Sequence, residues 1–313
     1  MRDFLASGKF FKLICAAGNE DFEQVEKLVY IYAKAGCCFF DIAADKNVIL
    51  AAKNALKMAA VKEKVFLCIS VGTKNDLHIQ KAFINEFCNQ CGLCVQVCPQ
   101  KAILGFKVEE NKCIGCSKCY NICASKAIRL EAKNQDFEAF LPDLINLGID
   151  CIEFHISDFD DEVFKKWEWL NTNFDGVLSI SIGTSKLQKS EIIEVLDKLL
   201  KSRSPYSTII QADGSPMSAY ENDIKTTQKS IETGLLIQNK NYQVYLNLAG
   251  GTNLKTAQIS REKNLAFDGI ALGTFARNAV GKYISANNFW HDANLQQEAI
   301  NSAREIIVQT LSS

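Results

Sequence analysis

The sequence predicts an α/β fold, a (β/α)8 TIM-type barrel with a small cysteine-rich insert after its third strand. Eight short apolar segments are each followed by a segment with helical periodicity, the pattern of parallel strands joined by crossover helices. Eight is also the number of such strands that closes this type of barrel. Between the third and fourth apolar segments, cysteines recur at fixed spacing. The insert therefore occupies a loop at the carboxyl ends of the strands, where barrel enzymes have their active sites.

The predicted elements alternate regularly along the chain. Strands are predicted at residues 11–17, 39–45, 65–73, 151–157, 176–183, 208–213, 244–249 and 269–273. Helices are predicted between them, including residues 21–35, 136–147, 162–171, 191–202 and 223–238. Glycines such as Gly36 and Gly148 end a helix before the chain turns into the next strand. We expect residues 1–80 and 131–313 to form the barrel, and residues 81–130 to form the insert.

The insert contains two matched cysteine runs, each with the spacing C-x2-C-x2-C-x3-C. In bacterial-type ferredoxins, three thiolates of such a run bind one [4Fe-4S] cluster and the fourth binds the other cluster. A zinc site needs only two ligand pairs and a radical-SAM enzyme needs a C-x3-C-x2-C run, so neither alternative fits. The spacing predicts a 2[4Fe-4S] ferredoxin-like domain. Its first cluster site is Cys88, Cys91, Cys94 and Cys123, and its second is Cys113, Cys116, Cys119 and Cys98.

Composition restricts the class of protein and its partners. The chain has 313 residues, of which 48% are hydrophobic and 23% charged, enough for one large and one small domain. The net charge of -1 gives no electrostatic footprint for nucleic acid or for an anionic membrane. Neither a membrane span nor a signal peptide is visible, so we expect a cytoplasmic protein. The five cysteines outside the two runs should be reduced and buried.

Alternation along the strands places polar residues inside the barrel. The outward face of each strand must be apolar because helices cover it, so Glu153, His155 and Ser157 should point inward. The same test sends further polar side chains inward: Lys12, Asp41, Asp45, Ser70, Ser179, Ser181, Gln211, Asp213 and Asn247. One interpretation is a self-satisfied network in which Lys12 and His155 neutralise the carboxylates. The other is a ligand pocket in which His155, Glu153 and Asp213 are the catalytic, proton-handling residues.

Glycine-rich turns after the last two strands suggest a phosphate site. In barrels this position commonly binds phosphate through backbone N–H groups, and flavin-binding barrels hold the FMN phosphate in this way. The candidate cofactor-binding residues are Gly250, Gly251, Thr252, Gly273, Thr274 and Arg277. The alternative is that these glycines only permit tight turns.

Several segments resemble a known family. They are GKFFKLICAA at residues 8–17, YAKAG at 32–36, DIAAD at 41–45 and AGGTN at 249–253, together with the double cysteine run. These segments are similar to the light-dependent period protein (LdpA) family, cyanobacterial iron-sulfur proteins that feed cellular redox state into the circadian clock. The resemblance implies a redox-active regulatory protein with two [4Fe-4S] clusters bound by the eight cysteines. It also implies a redox partner or a signalling protein as the binding partner.

Three functions are compatible with these observations. The first is a redox sensor, in which cluster oxidation state or quinone binding changes the affinity of the protein for a signalling partner. The second is an FMN-dependent oxidoreductase, in which the clusters relay electrons to a small-molecule substrate in the barrel mouth. The third is a passive electron carrier, for which a barrel would be unnecessary.

Overall fold

The computed structural model describes residues 1–73, 75–76, 80–132, 136–184, 186–214 and 223–312. Eight parallel strands close into a barrel, as predicted. They are β1 (Phe10–Ile14), β2 (Phe39–Ala43), β3 (Phe66–Gly72), β8 (Cys151–His155), β9 (Val177–Ile182), β10 (Thr208–Asp213), β11 (Tyr245–Ala249) and β12 (Gly269–Leu272). The strands follow one another around the ring in this order, and β12 pairs with β1 to close it.

Helices cover the outside of the barrel. They are α2 (Phe22–Ala35), α3 (Lys46–Ala59), α6 (Phe137–Ile145), α7 (Asp161–Asn173), α8 (Lys189–Leu200), α9 (Asp223–Gln238), α10 (Thr256–Glu262), α11 (Thr274–Ile284) and α12 (Ala293–Ser312). Outward-facing strand residues such as Ile152 and Phe154 are fully buried in the core between sheet and helices. No helix in the described part of the chain is long and apolar enough to cross a membrane.

Asp45 corrects one prediction from alternation. The second strand ends at Ala43, and the Asp45 side chain accepts hydrogen bonds from the backbone N–H groups of Asn47 and Val48. Asp45 is therefore the N-cap of α3, because its carboxylate satisfies N–H groups that have no partner inside the helix. It does not contribute to the barrel interior.

A short N-terminal helix closes the barrel at the amino ends of the strands. This helix, α1 (Arg2–Ala6), buries Leu5 completely, and the ring of Phe4 lies 5.8 Å from that of Phe10 and 5.2 Å from that of Phe66. These side chains belong to an apolar cluster at the bottom of the lumen. The polar residues of the lumen therefore lie between an apolar floor and the carboxyl ends of the strands.

The insert is a ferredoxin-like unit between β3 and α6. Its elements are β4 (Gln80–Ile84), α4 (Leu93–Val97), β5 (Ile103–Leu104), β6 (Lys107–Val108), α5 (Lys118–Ile122) and β7 (Ile128–Ala132). Strand β4 pairs antiparallel with β7, and β5 with β6. The backbone N–H of Glu20, in the loop between β1 and α2, donates to the carbonyl of Asn111 at 2.8 Å. The insert therefore contacts a loop on the carboxyl side of the barrel.

Candidate functional site

Two cavities inside the insert are each lined by four cysteines. Cavity one is lined by Cys88, Cys91, Cys94 and Cys123. Cavity two is lined by Cys98, Cys113, Cys116 and Cys119. The structure thus brings together the same two sets of four that the spacing predicts, with the fourth cysteine of each run crossing to the other cavity. Cluster binding in each cavity stays a prediction.

The backbone around the two cavities has the same unusual turns. Gln90 and its counterpart Gly115 have φ values of 59° and 65°, and Lys101 and Lys126 have φ values of 50° and 53°. A non-glycine residue in this left-handed region is disfavoured by about 1–2 kcal/mol. Positive φ values that recur at equivalent positions in both halves indicate that the two cysteine runs share one loop geometry.

Backbone N–H groups point at several of the cysteine sulfurs. Ala102 donates to Cys98 Sγ and Ala127 donates to Cys123 Sγ, both at 3.3 Å. Burial raises the pKa of the Cys119 thiol to about 12, so a free thiol there is neutral near pH 7. Iron binding requires the thiolate, and these N–H donors favour the charged form.

The donor set fits cubane clusters. No group of three or more His, Cys, Asp or Glu in the described part of the chain is arranged around a single ion. In a cubane each thiolate binds a different iron atom, so its four sulfurs surround a cavity instead of meeting at one point.

A second group of predicted residues meets in the barrel lumen around Lys12. The Lys12 side chain is 1% exposed, and its Nζ lies 2.5 Å from Glu153 Oε2 and 3.2 Å from Asp41 Oδ2. Lys12 also donates to Gln211 Oε1 at 3.1 Å. The second oxygen of Glu153 accepts from Gln211 Nε2 at 2.6 Å. One ammonium therefore contacts two buried carboxylates.

Serine and amide side chains satisfy most of the remaining polar atoms. Ser70 Oγ donates to Asp41 Oδ1 at 2.6 Å, and Ser179 Oγ donates to Glu153 Oε2 at 2.9 Å. Asn247 Nδ2 donates to Gln211 Oε1 at 2.9 Å, while Asn247 Oδ1 accepts no hydrogen bond from the described residues. These contacts agree with the first interpretation, while the catalytic role of His155, Glu153 and Asp213 stays a prediction.

His155 connects the lumen network to the carboxyl end of the barrel. Its Nε2 lies 3.2 Å from Glu153 Oε1, and its Nδ1 lies 3.7 Å from Asp76 Oδ2. Lys186 lies 3.2 Å from the other oxygen of Asp76 and donates to Ser157 Oγ at 2.9 Å. Sequence reasoning missed Asp76 and Lys186, because both lie in loops where no periodicity marks a residue as buried.

The pKa values reflect this pairing. Burial alone would lower the pKa of His155, but Asp76 and Glu153 outweigh it and raise the pKa to about 9. Burial raises the pKa of Asp41 to about 6, against the opposing effect of Lys12. Burial would likewise raise the pKa of Glu153, but Lys12 and His155 hold it below its ordinary value. Near pH 7 the two cations Lys12 and His155 therefore match the two carboxylates of Asp41 and Glu153.

Asp213, the third predicted catalytic residue, lies beside the glycine turn after β11. A Cβ atom added to Gly250 would lie 2.0 Å from Asp213 Oδ1 and 2.5 Å from the backbone nitrogen of Gly214. Gly250 also has a φ of +68°, so a side chain is excluded there by both space and conformation. The structure therefore brings Glu153 and His155 together, and sets Asp213 against Gly250.

Most of the predicted phosphate-site residues have partners within the protein. The carbonyl of Gly251 accepts from Thr227 Oγ1 at 2.7 Å, and Thr252 Oγ1 donates to the carbonyl of Ala271.

In the turn after β12, Arg277 donates to the carbonyl of Ile14 at 2.9 Å and to Thr274 Oγ1 at 3.1 Å. Gly273 precedes the first turn of α11, and Arg277 lies within that turn. These contacts join β1, β11, β12 and α11, which agrees with the alternative that the turns are structural. A carboxylate beside Gly250 would also repel a phosphate. FMN binding stays a prediction.

Comparisons with known proteins extend the family resemblance over most of the chain. The model of the Light dependent period A C-terminal domain matches residues 143–312, and the 4Fe-4S binding domain model matches residues 82–104. Light dependent period A from Synechococcus elongatus is 30% identical over 298 residues, which cover 90% of this chain and 83% of that protein. Among solved structures, the YdjI aldolase from Escherichia coli K12 is similar with a TM-score of 0.54 at 10% identity. That similarity covers 99% of this chain and 95% of the aldolase, and shows the fold alone.

Lys12→Met should strongly destabilise the protein. It leaves Glu153 and Asp41 buried without their ammonium, which costs about 3–5 kcal/mol of unfolding free energy when a buried pair loses one partner. The matched control is Lys198→Met, which removes an exposed pair with Glu194 and should cost less than about 1 kcal/mol. Anaerobic urea unfolding followed by circular dichroism measures both values. Equal effects of the two substitutions would contradict the role of Lys12.

Stability should fall between pH 6.5 and pH 9 because of His155. Its folded-state pKa of about 9 exceeds the ordinary 6.5, so its contribution is complete below about pH 6.5 and is lost as pH rises through 9. The loss should be on the order of 2 kcal/mol. In His155→Gln this part of the pH dependence should be absent, while the titration of thiols is common to both proteins. Parallel urea-midpoint curves for the two proteins from pH 6 to 9 would refute the assignment.

Proposed function

This chain belongs to the light dependent period A family, and from this premise we propose that it is a redox sensor with two [4Fe-4S] clusters. In this proposal the oxidation state of the clusters changes the affinity of the protein for a signalling partner. The observation that carries the proposal is the pair of four-cysteine cavities in an insert that contacts the barrel. For the cyanobacterial family the output is the circadian clock. Here the proposed partner is a redox protein or a signalling protein.

The residues of the chain have separate tasks in this function. When bound, a [4Fe-4S] cluster accepts or donates one electron at a time. The cysteines hold the cluster as thiolates, and the N–H groups of Ala102 and Ala127 stabilise the sulfur charge. We place the protein in the reducing cytoplasm, because thiols stay reduced there.

The lumen network favours a sensor over an enzyme. Lys12, His155 and Lys186 face Glu153, Asp41 and Asp76 at distances between 2.5 and 3.7 Å. These groups bind one another, so their charges are paired without a substrate. A sensor needs a rigid barrel whose surface loops respond to the clusters, and a paired polar core is compatible with that role.

Iron content tests the cluster assignment. Anaerobically purified protein should contain about eight iron atoms per chain, and Cys91→Ala should lower this to about four because one thiolate ligand is lost. The matched control is Cys38→Ala, a half-buried cysteine outside the insert, which should leave the iron content unchanged. Colorimetric iron and sulfide assays measure the result. Full iron retention in Cys91→Ala would show that this cysteine is not a ligand.

Flavin content separates the sensor from the FMN-dependent oxidoreductase. A sensor should show only cluster absorbance, which dithionite bleaches and air-free oxidation with ferricyanide restores. Acid extraction should release no flavin, because Arg277 and the glycine turns serve the fold. Fluorescence of the extract measures FMN directly. Release of about one FMN per chain would reject the sensor in favour of the oxidoreductase.

A further inference from the structure

Lys81, in strand β4, joins the insert to the barrel through a buried ammonium. The residue is 2% exposed, and its Nζ donates to the carbonyls of Gly18 at 2.7 Å and Cys113 at 2.8 Å. The same Nζ lies 3.6 Å from Glu20 Oε1. Cys113 lines cavity two, while Gly18 and Glu20 belong to the loop between β1 and α2. A single positive charge thus contacts both a cluster loop and a barrel loop.

The ferredoxin-like repeat does not require a lysine at this position. The two cysteine runs are offset by 25 residues, which makes Phe106 the counterpart of Lys81. Phe106 lines cavity one. Burying an ammonium is unfavourable unless it is paired and hydrogen-bonded, whereas an aromatic ring at the equivalent place has no such requirement. The lysine is therefore specific to the cavity that faces the barrel, and its contacts with Gly18, Cys113 and Glu20 help to account for its burial.

The loop that Lys81 contacts continues directly into the lumen network. The backbone N–H of Cys15, at the start of the loop, donates to the carbonyl of Asp41 at 2.8 Å. The side chain of Asp41 lies 3.2 Å from Lys12 Nζ. On the insert side, the N–H of Ala82 donates to Cys113 Sγ at 3.4 Å, one residue after Lys81. Cavity two and the lumen are therefore connected through one short loop.

We propose that Lys81 is a positioning residue that couples the oxidation state of the cluster in cavity two to the conformation of the β1–α2 loop. The proposal rests on the two-cluster redox function above. One electron from a low-potential donor, such as a reduced ferredoxin, makes the occupied cavity more negative by one charge, without bond formation or proton transfer. The ammonium of Lys81 is then drawn toward Cys113 and away from Gly18 and Glu20. The loop loses two of its contacts and becomes more open to a partner.

The test combines EPR-monitored redox titration with hydrogen exchange of residues 15–21 in oxidised and dithionite-reduced holoprotein. In wild type, reduction should increase exchange in this loop. Lys81→Met removes the charge near cavity two, so the reduction equilibrium constant of that cluster should fall about tenfold, which is about 59 mV for one electron. The other cluster should be unchanged, and loop exchange should become independent of oxidation state.

Two further variants make the test specific. Lys118→Met removes a half-buried ammonium next in sequence to Cys119, another cysteine of cavity two, and Lys118 makes no hydrogen bond or ion pair with the described residues of the barrel. This substitution should lower the reduction potential of the cluster in cavity two but leave the redox-dependent hydrogen exchange of the loop unchanged. Glu20→Gln removes the carboxylate near Lys81 from the barrel side, so it should raise the potential. This variant also provides the test if Lys81→Met does not fold.

Several results would overturn the coupling. Redox-dependent loop exchange that persists in Lys81→Met, or that is lost equally in Lys118→Met, excludes a specific role for Lys81. An unchanged or lowered potential in Glu20→Gln excludes it as well. Failure of the underlying function is distinguishable, because protein without two clusters would show an iron content well below eight and a single EPR component or none.

Discussion

The fold depends on how a closed ring of strands accommodates charge in its interior. Helices cover the outside of the barrel, so the polar side chains of the strands point inward, where Lys12 compensates Glu153 and Asp41. Removing one member of such a buried set leaves an uncompensated charge, and the members therefore stabilise the barrel only together. This pairing makes the lumen a packed polar core. It leaves the loops at the carboxyl ends of the strands as the elements able to change between two states.

Sequence periodicity was sufficient for the strands and insufficient for their surroundings. All eight strands lie within three residues of their predicted bounds, because alternation and helical period reflect burial directly. Asp45 was wrongly placed inside, since alternation cannot distinguish the last residues of a strand from the cap of the next helix. Asp76 and Lys186 were missed because loop residues show no regular spacing of hydrophobic side chains. Helix α1 was missed because five residues are too few to show one.

The cluster site was predictable for a different reason. Ligand spacing is a short-range geometric requirement, so the sequence alone assigns each cysteine to a set of four, and the two cavities contain those sets. Which cavity faces the barrel depends on contacts between distant parts of the chain. Lys81 reads as an ordinary exposed lysine in a short strand, and only the positions of Gly18, Glu20 and Cys113 explain its burial.

The two cavities differ in the exposure of their cysteines and in their contact with the barrel. Cys91 of cavity one is exposed, whereas Cys113 and Cys119 of cavity two are buried, and Cys113 contacts the lysine that joins the insert to the barrel. Burial disfavours added negative charge, so without compensation cavity two would be the poorer electron acceptor. The buried ammonium of Lys81 at Cys113 opposes this effect of burial, and it does so in the cavity that is joined to the barrel. In the proposed function an electron would enter at the more exposed cavity, and Lys81, which also contacts the barrel loop, would favour its transfer to the inner cavity.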